Sequence, residues 1–130
     1  MPINFKTPGL HHIALRVSNL EKAKEFYVGK LGFPIALEKS NLVVIMMGSH
    51  PIGLRGPEDQ TPKGDQFNPF RVGLDHLAIG CETSDELERV ANALNEYSIE
   101  NTGIKFDETL QKDYVCFKDP DRISWEFFMM

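Results

Sequence analysis

Hydrophobic and polar residues alternate in two short segments, and an amphipathic helical pattern follows each of them. The segments are Leu10–Val17 and Leu74–Cys81, and a histidine occupies the matching place in both. A period of two predicts strands, and apolar residues spaced by three and four predict helices. A strand-then-helix unit that occurs twice indicates an internal duplication.

Three more apolar segments follow each predicted helix, and turn residues separate them. We therefore predict an α+β fold in which two βαβββ modules form a curved mixed sheet around a central cavity. The modules are predicted to span residues 9–56 and 72–129, and the proline-containing segment 57–71 joins them within a single domain of residues 1–130.

Cap residues predict where the two helices begin and end. Ser18 or Asn19 is expected to cap the first helix, and Gly32 is expected to end it. Ser84 is expected to cap the second helix. The first strand is predicted over residues 10–17 and the fifth over residues 72–81.

Composition narrows the class of protein and of partner. Apolar residues make up 42% and charged residues 25%, which is typical of an ordinary globular chain. The net charge of −5, without a basic cluster, argues against nucleic acid and favours a small-molecule partner. The longest uncharged apolar run, 42–47, is too short to cross a bilayer, and the N-terminus lacks the apolar core of a signal peptide. We expect a cytoplasmic protein with buried, unpaired cysteines.

Strand alternation predicts which polar side chains share a face. If the apolar residues of the first, fifth and last strands face the helices, then His12, His76 and Glu126 face the cavity. The position in the first module that matches Glu126 is Gly53, which has no side chain to offer as a ligand. His11 points the other way by the same rule, and we interpret it as a packed or hydrogen-bonded histidine.

Two imidazoles and one carboxylate on a common face favour a divalent metal with open coordination positions. Iron(II) and manganese(II) suit such a set, and zinc or nickel would also bind. Arg16 and Arg55 lie on the predicted cavity face, where an arginine would bind a carboxylate or phosphate of a substrate. The alternative for both is a solvent-exposed position at a strand end.

Several motifs, in this order and spacing, resemble the vicinal oxygen chelate superfamily, which includes glyoxalase I, extradiol dioxygenases and bleomycin-resistance proteins. They are Leu10–Val17, Phe26–Tyr27, Leu31–Phe33, Leu74–Ile79 and Phe117–Asp121 leading to Trp125–Glu126. The resemblance implies that His12, His76 and Glu126 bind the metal, with Glu126 also catalytic.

Three departures from the resemblance affect the choice of reaction. Gly53 stands where glyoxalase I-like members usually place a fourth ligand, which argues against their isomerisation. The chain ends four residues after Glu126, before the polar and basic residues that fosfomycin-resistance proteins use. The extra histidine or tyrosine of extradiol enzymes has no assigned counterpart.

The resulting hypothesis is a metal-dependent enzyme of the glyoxalase/dioxygenase type, a lyase or a dioxygenase. Its small substrate would chelate a divalent cation through neighbouring oxygens, with Arg55, Arg16 and Gly53 lining the substrate site. The alternative is a metal-free protein that binds a small molecule or drug, as bleomycin-resistance proteins do. Members of this size usually form homodimers, and the resemblance leaves open whether one chain or two build the site.

Overall fold

In a computed structural model that describes residues 1–130, each half of the chain forms a strand, a helix and three further strands. The first module contains β1 (Ile13–Arg16), α1 (Leu20–Lys24) with a π-helical continuation (Glu25–Lys30), β2 (Ile35–Lys39), β3 (Leu42–Met47) and β4 (His50–Arg55). The second contains β5 (Leu77–Cys81), α2 (Ser84–Glu96), β6 (Asn101–Asp107), β7 (Lys112–Lys118) and β8 (Ser124–Met129). The predicted α+β fold of two βαβββ modules is confirmed.

The two modules have the same sheet topology. The strand orders are β1-β4-β3-β2 and β5-β8-β7-β6, and the first pair in each is parallel whereas the others are antiparallel. Ala14 pairs with Gly53 in the first sheet, and Ala78 pairs with Glu126 in the second. The predicted equivalence of Gly53 and Glu126 is therefore confirmed by register.

The strands that carry the repeat begin later than the sequence pattern predicts. β1 begins at Ile13, which pairs with Ile52, and β5 begins at Leu77, which pairs with Trp125. The residues before these positions have no ladder partner, so alternation alone did not locate the boundary. As a result, each histidine of the repeat lies immediately ahead of its strand.

Side-chain caps begin both helices. The Asn19 side chain accepts a hydrogen bond from the Lys22 N–H at 3.0 Å, and Thr83 accepts one from the Glu86 N–H at 3.1 Å. The predicted cap Ser84 is wrong by one residue, because Thr83 is the extended residue that precedes the helix. Gly32 follows the first helix with φ of +81°, a conformation that suits glycine.

One hydrophobic core joins the modules. The inner faces of both sheets and the buried sides of both helices contribute to a single cluster that includes Ile45, Leu54, Phe117 and Trp125. Tyr27 of the first module packs against Trp125 of the second, with ring centroids 5.9 Å apart. Full burial of such side chains contributes about 1.5–3 kcal/mol each. The shared core therefore fixes how the modules sit relative to each other.

The outer face of each sheet points away from this core. Leu37, Val44, Gly53 and Ala14 form a registered row on the outer face of the first sheet, and the Leu37 side chain is exposed. No helix of the chain is both long enough and apolar enough to span a membrane. The residues of chemical interest all belong to these outer faces or to the segments that lead into them.

Candidate functional site

A histidine and a carboxylate meet on the outer face of the second sheet. His76 Nε2 lies 3.3 Å from Glu126 Oε1. Glu126 is held there by the pairing of β8 with β5, and only 17% of its side chain is exposed. Burial raises the pKa of the Glu126 carboxyl, and the neighbouring His76 opposes that rise. The structure thus brings together two of the three predicted ligands.

His12 does not take part in the contact between His76 and Glu126. Its ring neighbour is His11, and the two Nδ1 atoms are 2.8 Å apart. No group of three histidine, cysteine, aspartate or glutamate side chains in the chain is arranged to hold one metal ion. A single chain therefore presents the predicted ligand set in two parts.

The orientation of His11 differs from the sequence expectation. Alternation predicts that His11 points away from His12, but the two rings meet edge to face, with centroids 5.0 Å apart and an interplanar angle of 86°. Both residues precede β1, so the strand rule does not apply to them. His11 is a hydrogen-bonded histidine, as predicted, and its partner is His12.

A cavity of about 380 Å³ lies between the N-terminal part of β1 and β5. His12, His50, Ala78 and Gly80 are among its lining residues, most of which are apolar, whereas His76 and Glu126 are not among them. His12 therefore borders a mostly apolar cavity of its own chain while remaining exposed to solvent.

Gly53 pairs with Ala14, two residues after His12, and Cys116 pairs with Glu126. A Cβ atom placed at Gly53 would make ordinary contacts, 3.6 Å from Ala14 Cβ and 3.8 Å from Leu42 Cδ1, so crowding does not require glycine there. Cys116 pairs directly with Glu126 across β7 and β8 and therefore shares its face. Burial raises the pKa of its thiol. The sequence predicts a buried thiol for Cys116, but the residue is only partly buried, because its side of β7 is the outer face that it shares with Glu126.

The two predicted substrate-binding arginines are register partners in parallel strands. Arg16 pairs with Arg55, and Arg55 pairs with Leu42. Arg16 Nη1 donates to the Gly56 carbonyl oxygen at 2.6 Å, and Arg16 also lines a second cavity of about 250 Å³ beside the segment 61–67. Neither arginine forms an ion pair with a carboxylate. The two like charges therefore lie side by side in the first sheet without a carboxylate partner in the chain.

Comparison with known proteins matches nearly the whole chain. The sequence profile of the Glyoxalase/Bleomycin resistance protein/Dioxygenase superfamily matches residues 9–127. A Bacillus subtilis protein, YwkD, is 35% identical over 126 residues, which cover 92% of this chain and 94% of the relative. A catechol-2,3-dioxygenase of the same species is 33% identical over 103 residues, covering 73% of this chain and 35% of that enzyme. Among solved structures, a glyoxalase family protein from Enterococcus faecalis superposes with a TM-score of 0.75 at 32% identity, covering 93% of this chain and 97% of that chain.

Proposed function

Since the chain belongs to the glyoxalase/bleomycin resistance protein/dioxygenase superfamily, we propose that it is a metal-dependent enzyme of the glyoxalase/dioxygenase type. His76 and Glu126 of one copy and His12 of a second copy would hold a divalent cation. The observation that carries this proposal is the contact of 3.3 Å between His76 Nε2 and Glu126 Oε1 on an outer sheet face. The likeness to a catechol-2,3-dioxygenase supports the same class of chemistry.

The chemistry of the donors fits such a cation. Imidazole nitrogen and carboxylate oxygen are ligands that iron, manganese, zinc and nickel accept. His76 forms ion pairs only with Glu126 and Asp75, and Glu126 only with His76, so no lysine or arginine side chain occupies their donor atoms. A bound cation would supply Lewis acidity to neighbouring oxygens of a substrate.

The need for a second copy follows from the ligands that a single chain does not bring together. His76 contacts Glu126, whereas the ring partner of His12 is His11, and no three such side chains of one chain are arranged to hold an ion. Glu126 belongs to the outer face of the second sheet, and His12 leads into the first. A second copy that presents its first module to the second module would supply the missing histidine and create two equal sites by symmetry.

Exposed apolar side chains support a homodimer. They lie in the segments that lead into the sheets and on the outer strands: Leu10, Ile35, Leu37, Phe70, Val72, Leu74, Ile104 and Phe106. Large apolar side chains that a single chain leaves exposed are available for an interface with a second copy. The net charge of −5 supports a small-molecule substrate and argues against binding of nucleic acid.

The remaining site residues have proposed roles toward the substrate. Glu126 would be catalytic as well as a ligand, because its carboxylate can accept a proton from the bound molecule. Arg16 and Arg55, which lack carboxylate partners, would bind an anionic substituent. Gly53 would leave the position opposite Ala14 open for the substrate instead of filling it with a fourth ligand.

Metal analysis of single variants tests the ligand set. Protein purified without chelator is expected to hold one divalent ion per chain, measured by plasma mass spectrometry. His12→Ala, His76→Ala and Glu126→Ala are each expected to lose it, whereas Asp113→Asn, an exposed carboxylate change in the same module as Glu126, retains it. Full metal content in the His76→Ala and Glu126→Ala variants would overturn the proposal. Tight binding of a small molecule that chelator does not change would favour the drug-binding alternative.

Complementation tests whether the site crosses two chains. Neither His12→Ala nor Glu126→Ala alone holds metal, but a mixed dimer of the two variants contains one intact site if ligands come from both copies. Random pairing during co-expression is then expected to restore about a quarter of the wild-type metal content. No recovery in mixed dimers isolated with two affinity tags would contradict the shared site.

A further inference from the structure

The residue that precedes each repeat histidine bonds to that histidine. Asp75 Oδ1 lies 2.7 Å from His76 Nδ1, and His11 Nδ1 lies 2.8 Å from His12 Nδ1. In both modules it is Nδ1 that is engaged, and the partner is the neighbouring side chain in the sequence. The arrangement occurs once per module, at equivalent positions of the duplication.

We propose that Asp75 and His11 are positioning residues that set the tautomer and ring orientation of His76 and His12 for metal binding. This inference rests on the proposed function, since it concerns the same ligand set. It assigns a role to two residues that make no direct contact with Glu126 and that the sequence motif alone does not identify as functional.

The tautomer of His76 follows from the chemistry of its partner. Both ring nitrogens of His76 face a carboxylate, and the contact of Nδ1 with Asp75 Oδ1, at 2.7 Å, is shorter than that of Nε2 with Glu126 Oε1, at 3.3 Å. In the neutral ring the shorter contact favours the hydrogen on Nδ1, which leaves the lone pair on Nε2. The nitrogen that faces the carboxylate ligand is therefore the one able to bind a metal.

The pair in the first module is less strictly fixed. A contact between two Nδ1 atoms needs one hydrogen, and either His11 or His12 can carry it. Binding of a metal by His12 Nε2 requires that His12 be the donor and His11 the acceptor. We therefore expect Asp75 to fix the tautomer of His76 before metal binds, whereas His12 adopts its binding tautomer when metal binds.

The hydrogen bond between Asp75 and His76 is accessible to solvent in a single chain. About 76% of the Asp75 side chain and 42% of the His76 side chain are exposed in a single chain. Water therefore competes with this hydrogen bond in an isolated chain, and the bond gains strength where a second copy covers it. The effect of Asp75 on metal binding is expected to be larger than its effect on folding.

Metal affinity and tautomer together test the inference. Ni²⁺ binding to the metal-free full-length protein is measured by isothermal titration calorimetry, and the tautomers by ¹⁵N NMR of labelled histidines. Asp75→Ala is expected to weaken Ni²⁺ binding about 10–100-fold and to populate both tautomers of His76. Asp75→Asn, whose amide oxygen still accepts the hydrogen bond, is expected to fall between Asp75→Ala and the wild type. Asp113→Asn, the control for the lost charge, is expected to match the wild type in both measurements.

His11 is tested in the same way. His11→Asn keeps an acceptor beside His12 and is expected to preserve most of the Ni²⁺ affinity, whereas His11→Leu is expected to lower it. A purely structural role would lower thermal stability in both variants without separating them. Equal affinities in His11→Asn, His11→Leu and the wild type would overturn the role of His11.

Failure of the inference and failure of the proposed function give different results. If His76→Ala binds Ni²⁺ as tightly as the wild type, the ligand set itself is wrong. If His76→Ala loses Ni²⁺ but Asp75→Ala keeps wild-type affinity and an unchanged His76 tautomer, the ligand set stands and the positioning role is refuted.

Discussion

Removing one hydroxyl from the buried contact between the modules should destabilise the whole chain. The Tyr27 hydroxyl donates to Asp119 Oδ2 at 2.6 Å and accepts from the Trp125 indole N–H at 2.8 Å. Tyr27, Trp125 and Asp119 are 0%, 1% and 5% exposed. Burial first, and the Asp119 charge second, raise the pKa of the Tyr27 hydroxyl, so it stays a protonated donor at ordinary pH. The substitution Tyr27→Phe keeps the ring and removes both hydrogen bonds.

The expected cost follows from what each partner loses. A hydrogen bond to a charged group contributes about 1.5–3 kcal/mol, and a buried donor left without an acceptor costs about 1–3 kcal/mol. Asp119 keeps two backbone donors, the N–H groups of Asp121 and Ile123 at 2.8 and 2.7 Å, which limits the loss on its side. We expect Tyr27→Phe to lower the free energy of unfolding by about 3 kcal/mol.

Urea unfolding at one fixed protein concentration measures this change, because the stability of the proposed dimer would depend on concentration. With an m-value of about 2 kcal/mol/M, the midpoint should fall by about 1.5 M at unchanged m. The control is Tyr114→Phe, since the Tyr114 hydroxyl makes no hydrogen bond and the ring is only partly buried. A midpoint shift in Tyr27→Phe no larger than that in Tyr114→Phe would refute the reasoning.

Three further predictions concern turns and a buried carboxyl. Gly56→Ala places a Cβ atom 1.9 Å from Asn41 Oδ1, so we expect a loss of about 1–3 kcal/mol in urea unfolding; wild-type stability would contradict this clash. Arg122→Gly removes the strain of a φ of +66°, which is worth about 1–2 kcal/mol. It also removes an exposed ion pair with Glu100, which is worth about 0–1 kcal/mol. The urea midpoint should therefore rise slightly, and a fall would mean that the ion pair contributes more than the strain costs. Burial raises the pKa of the Asp119 carboxyl, and its hydrogen bonds oppose the rise. As pH falls from 7 toward the ordinary carboxyl pKa, the native state therefore binds a proton at Asp119 before the unfolded state does, and this group adds to the free energy of unfolding. The stability of the wild type relative to Asp119→Asn should therefore increase between pH 7 and pH 5, and a constant difference would argue against the raised pKa.

The order of elements and the family were predictable because they depend on local patterns. Alternation in the strands, a cap at Ser18 or Asn19 and the glycine after the first helix are read from neighbouring residues, and the structure agrees with them, with Asn19 as the cap. The equivalence of Gly53 and Glu126 was also predictable, since the duplication imposes the same register on both modules. These features need no knowledge of how the modules pack.

The position of His12 relative to His76 was not predictable in this way. It depends on which faces of the two sheets share a core, and that choice is made by distant contacts such as Tyr27 with Trp125. The direction of His11 was missed for a different reason. The strand begins at Ile13, so the period of two does not extend to the two residues before it.

The duplication explains why the proposed ligand set is divided between the modules, with His12 in the first and both His76 and Glu126 in the second. Each module places a histidine ahead of its first strand, and the matching position in its last strand is a carboxylate in one module and glycine in the other. No three of these side chains meet in one chain. Under the proposed function, a complete site therefore requires His12 of a second copy to reach His76 and Glu126. Metal binding and association are therefore expected to be coupled, and chelation should weaken the dimer in proportion to the binding energy that the shared cation contributes.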